Sequence, residues 1–238
     1  IVKRKENVMS SNNLSWTLVF ITHLKRDLLI NYRSLIDIIA IISFMLLIII
    51  LFTFGIGPIK KNLNIISNAI IWVGLILAII PSLEKTLIKD LENGWFDQLA
   101  TSSIPLEIAL LSRSISHWIM IIFPLILSTP IFLILLNIGK EQLPWLILGM
   151  SIGGLAISLI GLNGASLVLG AKRGNILLPI LIIPLMIPIL IFGVGINEAI
   201  KIGQEPINNL LLLIAFTLIY LVISPFISAL LIRIAIAR

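Results

Sequence analysis

The sequence contains no cysteine among its 238 residues. Without thiols the chain forms no disulfide, has no thiolate metal site and lacks the CxxCH motif that attaches haem covalently. Charged residues are also scarce, because Asp, Glu, Lys and Arg make up 12% of the chain, against roughly 25% in soluble domains. Together with 59% hydrophobic residues, this composition indicates an integral membrane protein whose spans occupy most of the chain.

Catalytic and nucleotide-binding motifs are absent as well. The sequence has no GxxxxGKS/T, HExxH or GxSxG pattern, so it predicts neither nucleotide hydrolysis nor these hydrolase chemistries. The apolar runs hold almost no ionisable residue, whereas ion-coupled carriers usually place some at mid-membrane. We therefore expect a protein that is not an enzyme, that binds no metal or cofactor stably, and that receives energy from a partner.

Six apolar runs approach the ~20 residues that cross a bilayer and predict an all-α, six-helix bundle over residues 35–238. Before it, Leu14–Arg33 has apolar residues at helical spacing around the charged Lys25–Asp27. This favours an amphipathic helix on the cytoplasmic surface within residues 1–34, the alternative being the first turns of a tilted span. We expect one permease domain over 1–238. The predicted spans are Leu35–Phe54, Ile65–Leu83, Ile115–Leu136, Pro144–Leu169, Ile176–Ile196 and Ile207–Ile232.

Basic residues predict the orientation. Of the 17 Lys and Arg residues, only Lys60, Lys61, Lys140 and Lys201 fall on the side opposite the N-terminus. The excess on the other side places both chain ends in the cytoplasm, in agreement with an even number of spans. The net charge of +6 is thus a topology signal. Because the basic residues are not interleaved with aromatics on one surface, no nucleic-acid partner is expected.

Glycine and proline cluster in the fourth and fifth predicted spans. Gly149-x-x-x-Gly153 in the fourth lets a neighbouring backbone approach closely. Pro179, Pro184 and Pro188 in the fifth each remove a backbone hydrogen bond. This pattern predicts a kinked fifth span and a bundle that changes shape. The alternative is that Gly and Pro are simply more frequent in membrane helices.

The longest polar stretch between two spans is Glu84–Pro105. Helical spacing continues to Glu92, and Asn93-Gly94 then predicts a helix end and a sharp turn. Trp95, Phe96 and Leu99 form an apolar cluster after the turn. The segment is interpreted either as a docking surface for another protein or as a solvated loop with a Trp anchored at the membrane interface.

The two histidines are candidate haem or metal ligands. His117, beside Trp118 near the start of the third predicted span, is interpreted as a structural hydrogen-bonding residue, and His23 as solvated. The methionines of the spans are weak ligands and are commonly filler in apolar helices. The sequence therefore predicts no axial ligand pair for stable haem binding.

Matches to a known family run in order through nearly the whole chain from about Trp16. They include the pattern Asp90-x-x-x-Gly94-x-x-x-Gln98-Leu99 and a later Lys172-Arg173-Gly174. The chain resembles the CcmB family, the haem exporter permeases of the cytochrome c maturation system. It departs from the family at Asn93, where an acidic residue is usual, at Asn175, where Gly is common, and in its Ile-rich composition. The other matching stretches are Gly57–Ile59, Ile70–Leu99, Ile104–Trp118, Phe123–Pro130, Leu169–Gly193 and Ser224–Ile234.

This resemblance implies a six-helix permease subunit of an ABC-type complex in a bacterial inner membrane or, alternatively, a mitochondrial one. The implied partners are a cytoplasmic CcmA-like ATPase, CcmC-like and CcmD-like membrane subunits, a CcmE-like haem chaperone, a second permease copy in a homodimer, and membrane lipid. ATP hydrolysis would drive haem handling or export and release of the loaded chaperone. The alternatives are a permease for another substrate, such as a lipid or drug, and a scaffold that transports nothing.

Three groups of residues carry the expected functions. The ATPase-docking loop is expected at Asp90, Glu92, Gly94, Trp95, Phe96, Gln98 and Leu99, with Trp95 and Phe96 as anchors. The second cytoplasmic loop is expected at Lys172, Arg173 and Gly174. The candidates to line a haem path are His117, Trp118, Pro184 and Pro188.

Overall fold

The computed structural model describes residues 16–32, 35–57, 60–102, 104–169 and 174–236, and no strand occurs within these ranges. Within these ranges a π-helical turn at Trp118–Ile122 and a 3₁₀ turn at Lys140–Gln142 occur beside the α-helices. The α-helices are α1 Trp16–Tyr32, α2 Leu35–Ile56, α3 Lys60–Glu92, α4 Trp95–Ala100, α5 Leu106–His117, α6 Phe123–Leu127, α7 Thr129–Leu136, α8 Leu143–Val168, α9 Gly174–Lys201 and α10 Ile207–Ile236.

The described ranges contain six helical segments long and apolar enough to cross a membrane, which confirms the predicted number of spans. The helix of the second span continues without a break to Glu92, as its spacing predicted. The start of the third span was predicted wrongly, because it begins at Leu106 rather than at Ile115. The polar residues before His117 pointed to a loop, but Arg113 is buried in the helix because it pairs with carboxylates of other elements.

Helix α1 presents its polar side to the bundle. It packs against α5, and Asp27 is almost completely buried. Leu18 and Ile21, on the predicted apolar face, are about half exposed, at 56% and 46%. The burial of Asp27 is tolerated because basic groups from its own helix and from α5 compensate its charge.

The centre of the bundle forms where α3, α8 and α9 pack together. Trp72 on α3 is fully buried and lies against Gly153 of α8 and Gly193 of α9. A Cβ atom at Gly153 would lie only 2.8 Å from Cη2 of Trp72, and one at Gly193 would come closer still. These glycines are therefore required by the large side chain that packs between the two helices.

Polar contacts join α8 to α10. Asn163 Oδ1 accepts hydrogen bonds from the hydroxyls of Ser224, at 2.9 Å, and Ser228, at 2.6 Å. All three side chains are buried. In an apolar surrounding such bonds are costly to leave unmade, so they define the alignment of the two helices.

Proline does not end α9. Pro179, Pro184 and Pro188 all lie inside the continuous helix Gly174–Lys201. Pro81 and Pro225 likewise lie within α3 and α10. Membrane helices tolerate such residues because neighbouring groups satisfy the freed carbonyls. The predicted kink of the fifth span stays a prediction.

Candidate functional site

The turn that follows the second span has the geometry predicted for it. Backbone N–H groups of Asn93 and Gly94 bond back to the carbonyls of Lys89 and Leu91, at 3.1 and 3.0 Å. Gly94 then adopts the left-handed conformation, with φ of 68°. Glycine enters this region without the steric cost of a Cβ atom. The short helix α4 starts directly afterwards at Trp95.

Four charged side chains, here called the four-charge cluster, join α1, α3 and α5 beside this turn. They are Arg26 and Asp27 of α1, Asp90 of α3 and Arg113 of α5. Arg113 Nε lies 3.1 Å from Asp27 Oδ2, and Arg113 also forms an ion pair with Asp90. Arg26 is 2.9 Å from Asp27 and 3.2 Å from Asp90. With two charges of each sign, the cluster is neutral overall.

Trp95 connects α4 to this cluster. The centre of the Arg26 guanidinium lies 4.3 Å from the centroid of the Trp95 ring, and that of Arg113 lies 5.5 Å away. His23 meets the same ring edge-on at 6.0 Å, and Phe96 at 5.1 Å. Cations over an aromatic face are attracted by its electrons. The first residue of α4 is therefore in contact with groups of α1 and of the third span.

Burial changes the acidity of two groups on α1, which lies outside the six candidate spans. Burial raises the pKa of the Asp27 carboxyl, while Arg113 and Arg26 oppose this rise by favouring the charged form. Burial lowers the pKa of His23 below its usual 6.5, and Arg26 and Arg113 lower it further, whereas Asp27 acts in the opposite direction. His23 is half-buried, so it is less solvated than the sequence indicated.

The residues predicted to dock an ATPase divide between two surfaces. Asp90, Phe96 and Leu99 are buried within the chain, and Trp95 is half-buried. Glu92 and Gln98 are exposed, as is Asp97 between them. The outer face of the turn and of α4 is therefore polar and acidic, and the aromatic residues attach it to the bundle. Sequence spacing placed these residues together without showing which side each faces.

The second predicted loop lies mostly outside the described residues. Lys172 and Arg173 lie outside the described residues, and Gly174 is the first residue of α9. Any role of these residues in docking stays a prediction.

His117 lies in a hydrogen-bonded position inside the bundle. Its Nε2 atom is 2.9 Å from the Ser82 hydroxyl of α3, and its Nδ1 atom is 2.9 Å from the Ser158 hydroxyl of α8. The neighbouring Trp118 donates from Nε1 to the Ser151 carbonyl at 2.8 Å. Both ring nitrogens of His117 thus have protein partners, as a structural histidine would.

The other two candidates for a haem path lie elsewhere. Pro184 is exposed on α9 and Pro188 is half-buried, and neither lines the pocket that borders His117. The described residues thus do not bring the four candidates into one site. Among these residues there is also no group of three or more His, Asp or Glu side chains that could hold a metal ion.

Sequence reasoning missed the partners that give this region its structure. Asp27, Arg113, Ser82 and Ser158 were not predicted as site residues. A signal existed for one of them, because Asp27 follows two basic residues in a helix that has a separate apolar face. The serines carried no signal, since their role depends on tertiary contacts with His117.

Known proteins match this chain over most of its length. The family model described as CcmB protein matches residues 18–235. Heme exporter protein B of Paracoccus denitrificans (strain Pd 1222) is 37% identical over 193 residues, which cover 81% of this chain and 88% of that protein. The proteins of the same name from Pseudomonas aeruginosa and Escherichia coli (strain K12) are 34% and 31% identical.

These two alignments cover 87% and 88% of this chain, and 93% and 96% of the relatives. The matched region begins in α1 and ends near the end of α10, so it includes the four-charge cluster, the turn at Gly94 and all six spans. A match of this extent cannot come from membrane composition alone. The chain therefore belongs to the CcmB family.

Proposed function

We propose that this protein is the membrane permease subunit of a haem exporter, and that a separate cytoplasmic ATPase powers it. The relatives named heme exporter protein B support the substrate class. The absence of a nucleotide-binding motif in the sequence supports an energy source on another chain. In the ATP-dependent step, the complex releases a haem-loaded chaperone of the CcmE type.

The observation that carries the coupling mechanism is the contact of α4 with the third span. Trp95 begins α4 and lies under the guanidinium groups of Arg26 and Arg113. Arg113 belongs to α5, the first part of the third span. A partner that displaces α4 therefore acts directly on a buried group of the bundle. This arrangement suits a subunit that receives mechanical work at one end.

The exposed side chains of the turn and of α4 define the docking surface. Glu92, Asp97 and Gln98 face outward at the turn, so they meet the ATPase, whereas Phe96 maintains the turn from inside. An acidic surface of this kind complements basic side chains on the partner. CcmC-like and CcmD-like subunits, together with a second permease copy, cover the exposed apolar faces of the spans that do not face lipid.

Co-purification with the ATPase subunit tests this proposal. Glu92→Lys combined with Asp97→Lys should abolish recovery of the ATPase and its stimulation by the permease. The matched control is Glu141→Lys with Glu205→Lys, two exposed acidic residues near the ends of other spans, which should preserve both. Replacing Phe96 is a poorer test because it would also loosen the turn.

Two results would contradict the proposal. Full recovery of the ATPase with the Glu92 and Asp97 variants would show that this surface does not bind the ATPase. Normal haem loading and release of the chaperone in a strain that lacks this protein would show that the protein has no role in haem export. A lipid or drug exporter of the same architecture predicts that second result.

A further inference from the structure

A pocket of about 320 Å³ lies between α1, α2, α3 and the middle of the third span. Its volume is at the lower end of the roughly 300–1,000 Å³ typical of ligand pockets. Asp37 and Lys89 line one end, close to the four-charge cluster, and Phe44 and Ala78 line the other. The pocket is a site distinct from the docking surface of α4.

The lining changes from charged to apolar along the helix axes. Lys89 and Ala78 are both on α3, and at 1.5 Å per residue their positions differ by about 16 Å along the axis. Asp37 and Phe44 show the same order on α2, about 10 Å apart by the same rise. An amphipathic molecule oriented like a membrane lipid would match this gradient, with its polar group at the charged end.

The pocket also opens sideways toward the membrane. Phe44 is 44% exposed, and Ala40 and Pro81, which line the pocket as well, are exposed. Because α2 belongs to a predicted membrane span, this side of the pocket meets lipid. A molecule dissolved in the bilayer could enter without crossing an aqueous surface.

The polar groups of the pocket do not favour an iron porphyrin. Both ring nitrogens of His117 lie 2.9 Å from serine hydroxyls, so iron coordination would break one of these contacts. Arg113 is held by Asp27 and Asp90 and is not offered to a propionate. Lys89, in contrast, is exposed at the polar end, and its flexible stem can direct the ammonium group toward a phosphate.

We propose that this pocket binds one phospholipid from the leaflet on the basic side of the membrane. One acyl chain occupies the apolar end between Phe44 and Ala78, and the phosphate pairs with the ammonium group of Lys89. The bound lipid seals the gap between α2 and α3 where their side chains leave space. This site holds a lipid whatever the exported substrate is.

Native mass spectrometry of the purified full chain tests the proposal. The protein is delipidated in detergent, titrated with dioleoyl phosphatidylethanolamine, and examined for bound lipid. We expect one saturable lipid per chain. Ala40→Trp, which fills the pocket from its exposed wall, should weaken binding about tenfold, the equivalent of one contact worth roughly 1.4 kcal/mol. Lys89→Gln should weaken it about threefold because an exposed ion pair is screened.

Matched controls separate occupancy from folding. Ile39→Trp adds the same side chain to the neighbouring residue, which is 62% exposed and does not line the pocket, and Lys25→Gln removes an exposed charge of α1. Both should bind lipid like the unaltered chain. Equal lipid binding by Ala40→Trp and Ile39→Trp would overturn the proposal. Displacement of the lipid by zinc protoporphyrin, lost in Ala40→Trp, would overturn it in favour of a porphyrin site.

Discussion

Arg113 Nε of the third span lies 3.1 Å from Asp27 Oδ2 of α1, and both side chains are almost completely buried. The same guanidinium also pairs with Asp90 at the end of the second span. One cation therefore compensates two carboxylates from two different helices. Removing it would leave Arg26 as the remaining basic member of the four-charge cluster.

Arg113→Met should destabilise the protein by about 3–5 kcal/mol, because it leaves two buried carboxylates with the part-exposed Arg26 as their one remaining cation in the cluster. The matched control is Arg233→Met. Arg233 lies 2.8 Å from Glu107 but is 57% exposed, so its loss should cost about 0–1 kcal/mol. Unfolding in mixed detergent micelles, followed by circular dichroism, measures both. Equal losses in the two variants would show that the buried cluster contributes no more to stability than an exposed ion pair.

A second prediction concerns the space around Trp72. Gly193→Ala places a methyl group against the indole ring and should cost about 1–3 kcal/mol by overpacking. Gly55→Ala is the control, because no atom lies within 4 Å of its added Cβ. Combining Gly193→Ala with Trp72→Phe should cost less than the sum of the single changes. Strict additivity would contradict direct contact between these two positions.

Acidification should loosen the packing of α1. The pKa of His23 is lowered in the folded protein, so the stability that neutral His23 contributes is present above pH 6.5 and is lost as the pH falls through the lowered pKa. The charged ring then repels Arg26 and Arg113. The protection factors of the α1 amides, which divide out the intrinsic pH dependence of hydrogen exchange, should fall at acid pH, modestly because His23 is only half-buried.

His23→Gln is the control for this pH dependence. It should remove the fall in α1 protection as the pH drops below 6.5, and it leaves Asp27 able to titrate. The pKa of Asp27 is raised, so the stability contribution of its protonated form is complete below pH 3.8 and is lost as the pH rises through the folded pKa. An unchanged exchange profile in His23→Gln would assign the effect to another group.

The turn after the second span and the number of spans could be predicted from sequence because both depend on local features. Long apolar runs indicate spans wherever they occur, and Asn93-Gly94 indicates a turn by its own backbone preferences. Arg113 was placed in a loop because an isolated charge favours water. Its burial depends on Asp27, which is distant in sequence, and no local pattern contains that pairing.

Which side chains of α4 face the bundle could also not be predicted from the sequence. Six residues make fewer than two turns, so the spacing of Trp95, Phe96 and Leu99 does not define which face is buried. The structure buries Phe96 and Leu99 and exposes Gln98. Tertiary contact with Arg26 and Arg113, absent from any local window, orients the helix.

Purified alone and mixed with haem, the protein should show no stoichiometric Soret band. The reason is that Ser82 and Ser158 already contact both ring nitrogens of His117. His117→Ala should instead lower stability by about 1–3 kcal/mol, because the buried Ser158 hydroxyl and the half-buried Ser82 hydroxyl each lose a partner. Absorption and unfolding measurements address the two effects. A stable low-spin spectrum that disappears in His117→Ala would make His117 a haem ligand.

Reporter fusions test the orientation predicted from the basic residues. A reporter active only outside the cytoplasm should be silent after Arg238 and active after Gly139, which precedes the 3₁₀ turn between the third and fourth spans. A fusion after Ser102, beyond α4, should be silent. The opposite pattern would place the α4 surface on the wrong side for a cytoplasmic ATPase.

The Trp72 ring and its two glycines also limit which parts of the protein can move. Glycine-rich spans are commonly associated with flexibility. Gly153 and Gly193, however, allow three helices to pack closely around the rigid indole ring of Trp72. Sliding α8 against α9 would bring the backbone of one of these helices into steric clash with the indole ring. During a transport cycle α3, α8 and α9 should therefore travel as one body, with the pivots located outside it. Distance measurements between spin labels on α3 and α9 should stay constant while those from α4 to α9 change.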